Sequence, residues 1–305
     1  MYQRCSRIKF LKNDLFVPCM LDAETTKKIL DFVYSKPRSI QEIAQHIGKN
    51  WRTADTYTEK IHKEQGVLAF RTFRGGTRGA LKIVYWNNVE KIHSSDFQER
   101  LFKRIESSRT KEDFSPFDIY QYVDEKKRSA FLEEQSEYHI TETQNLIGSL
   151  RSAASQVMIF SGNLSWVNAQ QGRKRIIDVF EELADRNVVI KILCRVDMDS
   201  MGNVEKMLAI NHKLKKEMIE IRHSEQPFRA FIIDDTFARF KEVQWTTKQT
   251  RAGPEKRQHY IFYEIRDEDW IEWLEKVFWS IFRTSISAQK RIGDINSIRA
   301  IKNKK

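Results

Sequence analysis

The spacing of apolar residues changes at Gly66, and this change constrains the first third of the chain more than any other feature of it. Before Gly66 the spacing is helical. A segment from about Asp22 to Tyr34 places Ile29, Leu30 and Val33 on one face, with Asp22 positioned to cap it. Ser39-Ile40-Gln41-Glu42 forms a capping box, after which Ile40, Ile43, Ala44 and Ile47 make an apolar stripe that stops at Gly48. A third helix opens on Asn50 and runs to about Gln65. Its Ala54, Tyr57 and Ile61 are spaced to face a core, while Arg52, Thr53, Asp55, Thr56 and Lys60 point elsewhere. Beyond Gly66 the period is about two, from Val67 to Phe73 and again from Ala80 to Trp86. The intervening Arg74-Gly75-Gly76-Thr77-Arg78-Gly79 supplies the glycines that a tight reversal needs, so these residues predict a β-hairpin.

The charge is not spread evenly. Residues 1–90 hold 16 Lys and Arg against 9 Asp and Glu, and residues 283–305 hold 7 against 1. The 192 residues between them hold 30 against 32. Concentrated Lys and Arg mark a surface for a polyanion. Lys49, Asn50, Arg52, Thr53, Thr56 and Lys60 on the third helix are candidate DNA contacts, with Arg71, Arg74, Thr77, Arg78 and Lys82 on the hairpin and its tip. The stretch from Ser39 to Trp86 resembles the winged helix-turn-helix of archaeal TrmB-like transcription regulators, notably in Ile43-Ala44, Trp51-Arg52-Thr53 and the Gly66 to Trp86 wing. The resemblance implies double-stranded DNA as partner and a homodimer. A unit of three helices and a hairpin also serves elsewhere as a protein-interaction module, against which the charge argues.

From about Val89 to Gln156 the pattern is polar and helical, broken at Phe114-Ser115-Pro116-Phe117. A long helix is expected beyond the break, with Phe131, Gln135, Tyr138, Asn145, Leu146 and Leu150 near one face. It serves either as a dimerisation seam or as an amphipathic helix packed on its own domain. Strand and helix patterns then alternate, which predicts an α/β domain: strands at Val157 to Phe160, Val188 to Leu193 and Met218 to Arg222, and helices at Arg173 to Asp185 and Met201 to Glu217. A hairpin is expected about Asp234-Asp235, a strand from His259 to Ile265, and a last helix capped by Asp267 that carries Trp270, Trp273, Leu274, Val277, Phe278, Ile281 and Phe282.

Pro227-Phe228-Arg229-Ala230-Phe231-Ile232-Ile233-Asp234 resembles the phospholipase D signature of His, any residue, Lys, four residues and Asp. In that family the histidine attacks phosphorus and the lysine holds the phosphate. Pro227 therefore implies lost catalysis, Arg229 a retained anion site and Asp234 a turn residue. TrmB-like regulators carry a degenerate form of the same fold. Ser161-Gly162-Asn163, at the end of the first strand, would open onto the sheet edge where α/β proteins bind ligands, so Ser161, Asn163 and Arg229 are candidate contacts for a small-molecule effector.

The expected organisation is an α+β winged helix-turn-helix DNA-binding domain with an N-terminal extension (1–90), a helical connector (91–156), a degenerate phospholipase D-like α/β domain (157–283) and a basic tail (284–305). Cys5, Cys19 and Cys194 are far apart and read as reduced thiols. Apolar runs are too short for a membrane span and no secretion signal stands at the N-terminus, so a cytoplasmic protein on the chromosome is expected. No catalytic constellation, metal site or cofactor motif emerges. Two other functions remain open: an architectural, chromatin-like protein that coats DNA, and a nuclease or phosphodiesterase rebuilt around Arg229 or His223.

Overall fold

The computed structural model describes residues 21–74, 80–87, 95–133, 139–141, 145–250 and 253–302. The chain divides into two units, one ending at Trp86 and the other beginning at Asn87. In the first, α1 (Ala23–Ser35), β1 (Arg38–Ser39), α2 (Ile40–Ile47) and α3 (Trp51–Gln65) are followed by β2 (Leu68–Arg74) and β3 (Ala80–Trp86). The strands form an antiparallel sheet in the order β1-β3-β2. Local signals set the boundaries. Asp22 accepts the Thr25 amide at 2.6 Å, and the Ser39–Glu42 box closes in both directions. Gly48 and Gly66 end α2 and α3 at φ +65° and +61°, a conformation that costs other residues about 1–2 kcal/mol. Ile29, Val33, Ile43, Ala54, Ile61, Leu68 and Val84 close the core of this unit. The expected hairpin tip, with Gly75, Gly76, Thr77, Arg78 and Gly79, lies outside the described residues, as do Cys5 and Cys19.

The second unit runs α4 (Asp96–Ser107), α5 (Phe117–Tyr120), β4 (Arg128–Glu133), β5 (His139–Ile140), α6 (Leu146–Arg151), β6 (Gln156–Phe160), β7 (Gln170–Gln171), β8 (Lys174–Arg175) and α7 (Ile176–Asp185). It continues through β9 (Val189–Cys194), α8 (Met201–Leu214), β10 (Ile219–His223), β11 (Ala230–Ile233), β12 (Phe237–Thr250), β13 (Gly253–Ile265), α9 (Glu268–Thr284), β14 (Ile286–Ser287) and α10 (Ala288–Lys302). Eight of these strands form one mixed sheet in the order β14-β10-β9-β6-β11-β12-β13-β4. Its centre is parallel, β10-β9-β6, linked by α7 and α8; the remaining pairings are antiparallel. β6 is buried on both faces, which is why it reads as a continuous apolar run. Val157 and Ile159 face a core with α6, α7 and α8, whereas Met158 and Phe160 face a second core with α4, α5 and α9. The Trp270 to Phe282 stripe belongs to that second core, and Asp267 caps its helix as expected.

One sequence expectation fails here. The long connector helix does not form. Phe131 lies on β4, pairs with Phe262 of β13 and stacks on its ring at 5.1 Å. Asn145 adopts φ +42°, through which a right-handed helix does not run. Leu146 and Leu150 are buried in their own unit and make no seam for a second copy; Gln135 and Tyr138 lie outside the described residues. Residues 91–156 are therefore no separate connector: Leu101, Ile105, Phe114, Ile119 and Val123 help build the core under the sheet. The basic tail carries a short strand and a helix. Ile286 and Ser287 pair with His223 and Arg222, and α10 follows with Ala288 fully buried. Among the described residues no helix is long and apolar enough to cross a membrane, and no His, Cys, Asp and Glu side chains gather in a group that would hold a metal.

Candidate functional site

Two places carry the candidate residues, one in each unit. In the first, α3 is capped by the Asn50 side chain, which accepts the Thr53 amide at 2.9 Å. Lys49, Asn50, Arg52, Thr56 and Lys60 are exposed, and Thr53 is half-buried. Arg52, Thr56 and Lys60, spaced by four, make one stripe along the helix, with the Thr56 hydroxyl donating back to the Arg52 carbonyl. Lys60 pairs with Glu64 at 3.7 Å. Trp51 keeps 55% of its surface exposed, so it is no core residue, and the Arg52 guanidinium lies 5.7 Å from its ring centroid.

Lys82 does not belong to that exposed set. Its ammonium pairs with Asp55 at 2.6 Å and Glu59 at 2.8 Å and lies 4.0 Å from the centre of the Phe70 ring. Its charge clasps β3 to α3 instead of facing a partner, because two acids of α3 lie directly across from it. The clasp also offsets one of the two carboxylate charges. His62 adds a second tie, its Nδ1 hydrogen donated to the Leu68 carbonyl at 2.7 Å; burial holds its pKa below the usual range, so the ring is neutral. Arg71 and Arg74 fall on β2, but their side chains lie outside the described residues, as do Thr77 and Arg78.

The second place is a cavity of about 530 Å³ within the second unit. The sheet assembles it. Phe160 ends β6 beside Leu193 of β9, and the Cys194 position is matched by His223 of β10, so the residues that follow these three strands share one edge. Ser161 donates its amide to Leu193, Arg195 to Gly162 and Ser224 to Cys194. Arg229 meets them because Ala230 opens β11 opposite Phe160 in an antiparallel pairing. The structure thus brings Ser161, Asn163 and Arg229 together on one wall.

Each of these side chains is fixed differently. The Ser161 hydroxyl accepts from the Trp166 indole at 3.0 Å and from the Leu164 amide. The Asn163 side chain accepts the Ser165 amide. Arg229 donates to the Phe228 carbonyl at 2.7 Å and makes no ion pair with a carboxylate among the described residues. Burial, and after it the nearby Arg195, push its pKa down, while Glu112 acts weakly the other way. The guanidinium lies so close to Gly162 that a Cβ there would come within 2.5 Å of Nη2, so any side chain at this position would displace it.

Sequence reasoning missed Arg195, Gln226, Arg239, Lys241 and the aromatic wall of Trp166, Tyr260 and Phe262. Arg195 had a signal, since it directly follows the apolar run of β9 at the carboxyl edge of the sheet. Gln226 had none. Its amide donates to the Ser161 carbonyl and accepts the Phe228 amide, an arrangement visible only once β6 and β11 are paired. His223, a candidate nucleophile, uses Nδ1 to accept the Val196 amide at 2.9 Å, and burial lowers its pKa. Asp234 is a turn residue at φ +48°. Its carboxylate also accepts the amides of Ala154, Ser155 and Gln156, which locks the start of β6.

No family model and no curated protein sequence matches the chain. Among solved structures it is similar to a phospholipase D family member, Nuc from Salmonella typhimurium, at 12% identity and a TM-score of 0.37, over 53% of this chain and 98% of that one. It is also similar to TrmBL2, described as an archaeal chromatin protein with a novel mode of DNA binding, at 13% identity and 0.36, over 86% and 93%. Polyphosphate kinase from Porphyromonas gingivalis follows at 9% identity and 0.33, over 74% and 55%. At scores this low the architecture stands on its own strand order, a mixed α/β unit around one large sheet.

Proposed function

We propose that this chain is a duplex-DNA-binding protein of TrmB-like regulator type, in which the first unit acts as a winged helix-turn-helix with α3 as the recognition helix. The observation that carries this reading is the state of charge on α3. Lys49 and Arg52 stand exposed at its start, unengaged by any carboxylate among the described residues, while Asp55 and Glu59 further along are turned to Lys82, which offsets part of their charge, and Glu64 pairs with Lys60. A helix so arranged presents donors to base edges and phosphates at its start, with its acids engaged by lysines. The chain acts as a homodimer on the chromosome, and the second unit serves as an effector domain without turnover, since Pro227 holds the position a nucleophile would need and the Nδ1 of His223 is occupied.

The test is binding of the purified chain to its own upstream region and to random duplex, followed by fluorescence anisotropy across a salt series. A regulator prefers its own site by about 10³-fold or more. Equal, salt-sensitive affinity for both duplexes would make the protein an architectural, chromatin-like one. Absence of binding to either would overturn the proposal, and turnover of a phosphodiester reporter would overturn the non-catalytic reading.

A further inference from the structure

We infer that the cavity of the second unit is a binding site for a small, ring-bearing organic oxyanion, a phosphate or a carboxylate, held by Arg229 and Arg195 with its ring against Trp166. The inference goes beyond DNA binding and holds whether or not the first unit contacts a duplex.

Three observations carry it. The first is Arg229 itself, a largely buried guanidinium on the cavity wall with one hydrogen bond, to the neighbouring carbonyl, and no carboxylate partner among the described residues. Such a group is costly to leave unpaired away from water, and an oxyanion that accepts from its remaining N–H groups removes that cost. The second is the way it is placed. Gly162 gives it backbone to lie on, and Gln226 fixes the residues to either side by joining Ser161 to Phe228. A cation held this firmly has lost its side-chain entropy before any ligand arrives.

The third is the character of the wall. Arg109, Lys111, Arg195, Arg229, Arg239 and Lys241 face it against Glu112 and Glu225. Arg239 is occupied by Glu264, and Arg195 reaches Asp197 while half its side chain stays exposed, which leaves it able to turn toward an anion beside Arg229. The lining also has apolar rings, Trp166 among them. Trp166 is pinned by its indole bond to Ser161 and packed edge-on against Phe231, giving a fixed ring face for a planar or cyclic body. The volume, about 530 Å³, lies within the range of small-molecule sites.

The site is tested by calorimetric titration of the full chain with phenyl phosphate, benzoate and, as a neutral control of similar size, benzyl alcohol. At least one of the two anions binds, and benzyl alcohol binds about 10-fold or more weakly, the difference one charged hydrogen-bonded contact makes. The phosphate and benzoate arms decide which oxyanion is preferred. Arg229→Gln lowers the affinity for the binding anion by about 10- to 100-fold, and Arg229→Lys recovers part of it. Gly162→Ala, which displaces the guanidinium and keeps its charge, gives an intermediate loss. Circular dichroism and the unfolding transition confirm that each variant folds; if Arg229→Gln does not, Gly162→Ala and the neutral control still decide. Failure of both anions to bind, equal binding of benzyl alcohol, or unchanged affinity in the folded Arg229 variants would overturn the assignment.

Discussion

The exposed face of α3 and the cavity of the second unit both depend on arginine, but they hold it in opposite ways. Arg52 stands in solvent on a helix whose acids are engaged by lysines, whereas Arg229 lies largely buried against glycine backbone with no carboxylate partner among the described residues. An exposed charge attracts a polyanion from a distance and is screened by salt. A desolvated one acts on what touches it, and salt reaches it little. The contrast teaches that net basic charge alone does not say how a cation is placed: one arginine is set for long-range attraction, the other for direct contact.

The contrast breaks most readily on stability. Asp234→Ala removes the acceptor for three amides and a hydroxyl at the start of β6, and is expected to cost about 3 kcal/mol in urea unfolding. Arg52→Ala should stay within about 0.5 kcal/mol, as a surface substitution does. Similar losses from both would mean that α3 is structural.

Next in size is a pH effect confined to the interior. Glu275 is buried, accepts from Gln156 at 3.0 Å, and burial followed by the nearby Asp235 pushes its pKa up to about 8. A raised folded-state pKa favours the protonated form, so its contribution is full below the ordinary carboxylate range and is lost as pH rises through about 8. Glu275→Gln should therefore flatten the decline in stability between the ordinary carboxylate value of 4.5 and about 8, with a gain on the order of 2 kcal/mol at the upper end of that window. A variant whose stability falls with pH as steeply as the parent's would place the titrating group elsewhere.

Salt sharpens the comparison further. Lys49→Ala and Arg52→Ala should each lower the slope of log affinity for duplex against log salt by about 0.9 per lost phosphate contact. Anion binding in the cavity should change far less over the same series. A smaller loss than that of Asp234→Ala is expected for Lys82→Met, about 0.5–1 kcal/mol of stability from the lost clasp, read from thermal unfolding of the full chain.

How much of this was legible in the sequence depended on distance along the chain. The capping box at Ser39, the glycine stops at Gly48 and Gly66, the Asp267 cap and the apolar run of β6 are local, and each stands where the residues predicted it. The placement of β4 was illegible because its partner lies far downstream; without β13, Phe131 fits a helical face as well as a strand. The pairing of Lys82 was illegible for a related reason, since Asp55 and Glu59 come to lie across from it only when β3 is placed beside α3. Ser161, Asn163 and Arg229 were legible from their positions at strand ends, while Gln226 and the aromatic wall appear only when the strands are paired.

The late partner of β4 has a consequence for synthesis. Ser129 on β4 bonds to Glu264 on β13, 135 positions later, so the ribosome releases the first strand well before the second exists. Until then Phe131 and Leu132 belong to an edge with nothing to pair with, the kind of segment that nascent chains hand to chaperones. The parallel centre, drawn from one continuous stretch, can assemble in the meantime. Newly made chains interrupted before Ile265 should therefore be held by chaperones more than finished ones, with the outermost strand docking last.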